Sequence, residues 1–208
     1  MSARKPYIIG ISGGSASGKT RFLQAIAERF ESADITFLSQ DNYYKSADYH
    51  VKDENGHINY DLPGCIDLER FHKDLLTLMG GKKVEIQEYR FQHEQQFGRL
   101  LTLNPSPVII VEGLFIYYDE NIKQLFDLKI FVDATTEIQY QRRLKRDTAE
   151  RNIPADFVKY QWEKHVLPAF NKYLLPYKDE ADIVVINNTH FENSLNVIAN
   201  HIKMMLNV

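Results

Sequence analysis

The sequence predicts an α/β fold: a mainly parallel five-stranded sheet flanked by helices, with a small β-hairpin insertion and a helical lid. Three observations carry that prediction. Five short strand-like runs stand out, several of them almost continuously apolar, as strands covered on both faces are. Helical patterns alternate with those runs, as they do where crossover helices join parallel strands. The first run also opens into a glycine- and serine-rich loop, GISGGSASGKT over Gly10–Thr20, directly before a helical pattern.

In chain order, Tyr7–Ser12 (YIIGIS) is the first strand. Phe22, Ile26 and Phe30 then recur every four residues and mark one face of a helix. Ile35–Ser39 (ITFLS) is the second strand, and Leu68, Phe71, Leu75 and Leu78 line a second helix between Asp67 and Met79. Val84–Phe91 and Leu100–Leu103 read as two strands with a polar connection, a hairpin-like insertion over about 82–104. Val108–Glu112 (VIIVE), Leu128–Asp133 (LKIFVD) and Asp182–Asn187 (DIVVIN) complete the five core strands. The stretch 142–162 is a helical lid, interrupted at Asn152-Ile153-Pro154, where proline starts a new helix. Leu195, Ile198, Ile202 and Met205 give the last helix its apolar face, and the 208 residues fit a single domain.

With 44% hydrophobic and 25% charged residues, the composition is that of a globular protein. A net charge of -3 gives no overall pull toward nucleic acid or an anionic membrane. No apolar run spans a bilayer, no secretory signal pattern precedes Tyr7, and the single Cys65 rules out an intrachain disulfide. These features lead to the expectation of a soluble, cytoplasmic protein. Cys65 reads as a small buried residue and Trp162 and Phe170 as core, and the seven histidines lack metal-ligand spacing.

The loop Gly13-Gly14-Ser15-Ala16-Ser17-Gly18-Lys19-Thr20 matches G-x-x-x-x-G-K-[ST] in the required place, after a strand and before a helix. Glycines let the backbone turn tightly and aim N–H groups at phosphate oxygens, and the helix start adds its dipole. Lys19 would reach the β- and γ-phosphates and Thr20 would place its hydroxyl on Mg²⁺. Glu112 ends an apolar strand, where a carboxylate holds the metal or is simply solvated. Asp41 follows the second strand, where ligands of open α/β sheets bind; it is either an acid accepting a hydroxyl proton or a turn residue. Arg142, Arg143, Lys145, Arg146 and Arg151 form a basic run that either closes over a transferring phosphoryl group or lies on a solvated helix face.

With these pieces in place, the chain resembles the uridine kinase family of phosphate-loop kinases. The resemblance runs from about residue 6 to the C-terminus and rests on GISGGSASGKT, SQDNYYK, NYDLPGCIDL, VIIVEGLF, KIFVD followed by RRLKRD, and KHVLPAFNKYLLPYKDEADIVV. It implies transfer of a γ-phosphoryl group from ATP or GTP, with Mg²⁺, to the 5′-hydroxyl of uridine or cytidine, a step of pyrimidine salvage. It also implies Asp41 as catalytic base, Asp61 on the ribose hydroxyls, and Tyr89 with Phe91 and His93 of the hairpin against the nucleoside. Gln161 is implied on the ribose side, Arg143 and Arg146 near sugar and phosphates, and a homo-oligomer, possibly a tetramer, as the assembly.

Two positions depart from the family pattern. The hairpin carries His93 one residue early and Glu94 where a base-reading histidine is expected, and an ionised glutamate only accepts hydrogen bonds. The lid reads Glu150-Arg151-Asn152-Ile153, with Ile153 where an arginine is usual. Loss of a charged hydrogen bond there would weaken binding by roughly 10- to 150-fold unless another group replaces it. Rival readings are a phosphoribulokinase-like or pantothenate kinase-like activity on another small alcohol, or a nucleotide-binding module without catalysis. A GTPase-type switch is rejected, because Asn171-Lys172-Tyr173-Leu174 lacks the aspartate of the guanine-reading motif.

Overall fold

A computed structural model describes residues 5–90 and 97–207. The elements run β1 (Tyr7–Gly13), α1 (Lys19–Ala27), β2 (Ile35–Ser39), α2 (Leu68–Met79), β3 (Val84–Tyr89), β4 (Phe97–Leu103), β5 (Val108–Glu112) and α3 (Glu120–Lys123). They continue with β6 (Leu128–Asp133), α4 (Thr136–Glu150), α5 (Ala155–Gln161), a π-helical turn over Trp162–Val166, α6 (Leu167–Tyr173), α7 (Leu175–Lys178), β7 (Ile183–Ile186) and α8 (Glu192–Leu206). Five strands form one sheet in the order β2-β5-β1-β6-β7, parallel throughout. β3 and β4 pair antiparallel as a separate hairpin.

The continuous apolar runs have a direct cause. Successive strand residues point to opposite faces, and both faces are covered. Ile8, Leu38, Ile109, Val111 and Phe131 pack on one side with Phe71, Leu75 and Leu78 of α2. Ile9, Ile11, Ile110, Ile130, Val132 and Val185 pack on the other with Phe22 and Ile26 of α1 and Leu195, Ile198 and Ile202 of α8. Gly10 makes room in β1, since a Cβ there would collide with the rings of Tyr117 and Phe126. The Tyr117 hydroxyl uses that room to donate to the Gly10 carbonyl at 2.6 Å and to accept from the Ile130 amide at 2.9 Å.

Element boundaries move in places. α1 stops at Ala27 because the Arg29 and Phe30 amides turn back to Ile26 and Ala27, so Phe30 leaves the helix but still packs on the core. β4 begins at Phe97 rather than Leu100, and β3 ends at Tyr89, with Phe91 outside the described residues. The last strand shortens to Ile183–Ile186; the Asp182 carboxylate before it accepts from the Lys129 amide at 2.7 Å. The lid helix starts earlier than expected, at Thr136, where Thr135 caps it by accepting from the Ile138 amide. The break at 152–154 is present: Asn152 takes φ 54° and Pro154 directly precedes α5.

Trp162, Phe170 and Cys65 are buried. At the N-terminal ends of the strands, Lys5, Tyr7, Gly81, Pro107, Met205 and Asn207 line a cleft of about 870 Å³. No helix among the described residues is long and apolar enough to cross a membrane.

Candidate active site

At the opposite, C-terminal ends of the strands lies a cavity of about 480 Å³. The Gly13–Thr20 loop forms one wall. Ala16 at φ 60° and Gly18 at φ 106° hold the turn, and α1 starts directly after Gly18. The Lys19 ammonium folds back and donates to the Gly13 and Gly14 carbonyls at 2.9 and 3.1 Å. Ser15, Ala16, Gly18, Lys19 and Thr20 reach the cavity surface, while Gly13, Gly14 and Ser17 are buried in the turn.

The carboxylates follow from strand register. β5 lies between β2 and β1, so Glu112 has Ser39 on one side and Ile11 on the other. Ser39 Oγ donates to Glu112 Oε1 at 2.6 Å and accepts from the Asp41 amide at 3.3 Å, which ties the two acids together. Burial pushes the Glu112 carboxyl up to about 7; Asp41 adds to the rise, and Lys19 opposes it. Burial likewise raises Asp41, against the pull of Lys19, and lowers Lys19, against the pull of both acids. Lys19 faces both acids, and Arg146 and Arg151 act on Asp41 from the lid. The donor set of two buried carboxylates beside the Thr20 hydroxyl fits a divalent cation, whose remaining ligands would be water and phosphates. Among the described residues there is no cluster of three or more His, Cys, Asp or Glu that could bind a metal by itself.

The second wall is aromatic. Tyr44 and Tyr89 stack with ring centroids 5.3 Å apart, and Tyr60 lies edge-on to Tyr44. The Tyr89 amide donates to Asn42 Oδ1 at 3.1 Å, docking the hairpin on the segment that carries Asp41. Burial raises the Tyr89 phenol to about 12, so this wall is uncharged. Asp61 is oriented by Asn59, whose Oδ1 accepts from the Asp61 amide at 2.9 Å.

The lid supplies the third wall. Arg143 donates to Ser15 Oγ at 2.9 Å and stands 3.9 Å from Asp61, so it spans the phosphate loop and the aromatic side. Asp147 is fully buried and gathers Arg143 at 3.2 Å, Arg146 at 2.7 Å and Arg151 at 3.3 Å. Gln161 is nearly buried on the cavity wall, and its Oε1 has no hydrogen-bond partner among the described residues.

The cavity therefore brings together Lys19, Thr20, Asp41, Asp61, Tyr89, Glu112, Arg143, Arg146 and Gln161. Phe91, His93 and Glu94 lie outside the described residues. The hairpin slips register between Gln87 and Tyr89, where Gly98 and Arg99 of β4 lie opposite the single Glu88 of β3. Arg21, Tyr44, Tyr60, Leu114, Asp147 and His165 also line the cavity without having been singled out as site residues, and Ile153, the departure in the lid, lines it too. Tyr44, Tyr60 and His165 sit inside the SQDNYYK, NYDLPGCIDL and KHVLPAFNKYLLPYKDEADIVV segments, so a signal existed; the last segment does not show which side chain His165 meets.

The comparisons with known proteins agree with this geometry. The model of the Phosphoribulokinase / Uridine kinase family matches residues 8–191. Uridine kinase of Lactobacillus johnsonii is 34% identical over 207 residues, covering 99% of this chain and 98% of that protein. Uridine-cytidine kinase B of Dictyostelium discoideum is 33% identical over 204 residues, covering 98% of this chain and 84% of that protein. Among solved structures, a possible uridine kinase from Bacillus stearothermophilus superposes with TM-score 0.61 at 18% identity, covering 88% of this chain and 90% of that one. Phosphoribulokinase from Rhodobacter spheroides gives 0.66 at 19% identity, covering 88% and 70%. A phosphate loop, an acid pair at the strand ends and an arginine-bearing lid on this sheet, matched over nearly the whole chain, place the protein in the phosphoribulokinase/uridine kinase family.

Proposed function

We propose that the chain transfers the γ-phosphoryl group of ATP or GTP to the 5′-hydroxyl of uridine or cytidine, giving UMP or CMP. The observation that carries this reading is a single cavity in which Asp41 lies between the phosphate loop and a wall of Tyr44, Tyr60, Tyr89, Asp61 and Gln161. Relatives named uridine kinase, similar over almost their entire length, support the choice of acceptor.

In this reading the loop amides and Lys19 hold the β- and γ-phosphates. Lys19 exchanges the Gly13 and Gly14 carbonyls for phosphate oxygens. Thr20 and Glu112 would hold Mg²⁺, which would supply charge neutralisation at the phosphates. Asp41 takes the proton of the 5′-hydroxyl as its oxygen bonds to phosphorus; the bond to the β-γ bridging oxygen breaks and the nucleoside diphosphate leaves. Arg143 and Arg146 balance charge on the transferring oxygens. Asp61 and Gln161 receive the ribose hydroxyls, and the tyrosine wall with Phe91 and His93 packs on the base. Ile153 offers the acceptor no polar group, but Arg151 reaches the same cavity. We assign the activity to one domain working in the cytoplasm, as part of a homo-oligomer.

The test is ADP release from Mg-ATP with uridine, cytidine, ribulose 5-phosphate, pantothenate or no acceptor. Turnover with a pyrimidine nucleoside supports the reading. Turnover with another alcohol alone reassigns the acceptor, and silence with all of them leaves nucleotide binding only. Asp41→Asn should lower kcat by about 10²–10⁴-fold while ATP still binds.

A further inference from the structure

A second polar cluster lies on the acceptor side of the cavity, and the proposed chemistry does not use it. Asp53 sits in a tight turn of the connection between β2 and α2, where its Oδ1 accepts from the Asn55 and His57 amides, both at 2.9 Å. Its Oδ2 reaches across to the lid. It accepts from the Tyr160 hydroxyl at 2.6 Å and from His165 Nε2 at 2.7 Å. Asn55 donates to the same Tyr160 hydroxyl at 2.8 Å, and His57 packs its ring on Phe157 and Tyr160.

The location gives the cluster its meaning. His165 is 2% exposed and lines the cavity; it belongs to the π-helical turn that follows Gln161. Such turns interrupt regular helices at functional sites more often than elsewhere. Six residues after Asp53 the same connection reaches Asn59, which orients Asp61, and Asn59 is itself held by its amide bond to the Val51 carbonyl. The two polar groups proposed to receive the acceptor thus come from separate segments. Asp61 comes from the connection and Gln161 from the lid, and Asp53 bonds the first segment to the second. The orphan Gln161 Oε1, nearly buried on the cavity wall, is the group whose placement this tie would fix. Arg143 spans the same gap at 3.9 Å from Asp61, a looser link.

We infer that Asp53, through Tyr160 and His165, is a positioning residue that sets the spacing between Asp61 and Gln161 and so the affinity for the phosphoryl acceptor. The inference rests on the kinase reading above for the identity of the acceptor, but not for the tie itself. A carboxylate bonded to two side-chain donors holds two segments more firmly than neutral pairs do. A pre-set spacing spares the acceptor the cost of ordering the loop.

The experiment uses the full chain and the variants Asp53→Ala, Asp53→Asn and Tyr160→Phe. Asp53→Ala should raise the KM for uridine about tenfold or more while the KM for ATP and kcat stay within about twofold. Asp53→Asn keeps an acceptor oxygen and should fall between. Tyr160→Phe keeps the ring, carries the test if Asp53→Ala does not fold, and should shift the same constant alone. A merely structural role would instead lower stability and the active fraction, or move both KM values together; either pattern overturns the inference. Hydrogen exchange at the amides of residues 59–61, without any acceptor, should be faster in Asp53→Ala or, if that variant does not fold, in Tyr160→Phe. Unchanged exchange overturns the tie whatever the acceptor is. If the parent chain turns over none of the acceptors tested, the kinase reading fails, and exchange at 59–61 alone decides the tie.

Discussion

Gly18 holds φ 106° directly ahead of α1, and a Cβ there would run into the Asn187 side-chain amide, which donates to the Ser17 carbonyl at 2.8 Å. Gly18→Ala is therefore expected to cost about 1–3 kcal/mol and to weaken nucleotide binding, both readable from urea midpoints with and without Mg-ATP. Glu112 makes a different prediction. Its carboxyl titrates near about 7 in the folded protein, above the usual carboxylate value. The native state therefore holds an extra proton between about pH 4 and 7, and stability falls as pH rises through that window. Glu112→Gln should flatten the fall. Between pH 5 and 8 the parent should lose on the order of 2 kcal/mol more than the variant, by urea unfolding without metal. At this scale the sequence was most readable where a residue's chemistry is set by its immediate neighbours. The Gly13–Thr20 loop could be read directly, and Glu112 could be placed because an apolar strand precedes it. His165 could not, because its partner Asp53 lies 112 positions away and the two meet only when the lid packs on the connection.

Among the elements, α4 carries the most concentrated charge. Its Asp147 is fully buried among Arg143, Arg146 and Arg151, of which Arg146 and Arg151 remain about one-third exposed. Removing the shared anion leaves like charges crowded together, so Asp147→Ala should cost about 3 kcal/mol, the lower part of the range for a broken buried pair because solvent relieves two of the three. Thermal or urea unfolding checks this, and added Mg-ATP should recover part of the loss by supplying a new anion. In the sequence the same acid lies inside the basic run of residues 142–151, which read equally as a cover for a phosphoryl group or as a solvated helix face. The 3.6-residue period shows which residues share a face, not that the face turns inward over a cavity. The hairpin shows the same limit. Its existence was legible from alternation, but the start of β4 at Phe97 and the slip opposite Gln87–Tyr89 depend on docking against Asn42 and Tyr44.

Over the whole molecule, the phosphate loop, the connection bearing Asp61, and the lid touch around one cavity, so a bound nucleotide should stabilise all of them together. At 100 times its dissociation constant, Mg-ATP should add about 2.7 kcal/mol, or roughly 5–10 °C in Tm for a chain this long. Removing Mg²⁺ with excess EDTA should cut most of that shift, because the protein's own donors then meet the phosphate charge without the cation's neutralisation. The strand order was not readable in advance, since five apolar runs are compatible with several parallel orders and only packing selects β2-β5-β1-β6-β7. In the proposed reading the N-terminal ends of these parallel strands, away from the phosphate loop, take no part in the chemistry. Lys5 and Asn207 border one cleft there, beside a bond between the Tyr7 hydroxyl and His201 Nε2 at 3.0 Å. A glycine-serine linker from Asn207 to Lys5 across this cleft, with the chain reopened at an exposed turn such as Gly56, would give a circular permutant. Such a permutant should keep its Mg-ATP-dependent Tm shift, so the order in which the segments are synthesised is separable from the place where phosphate is held.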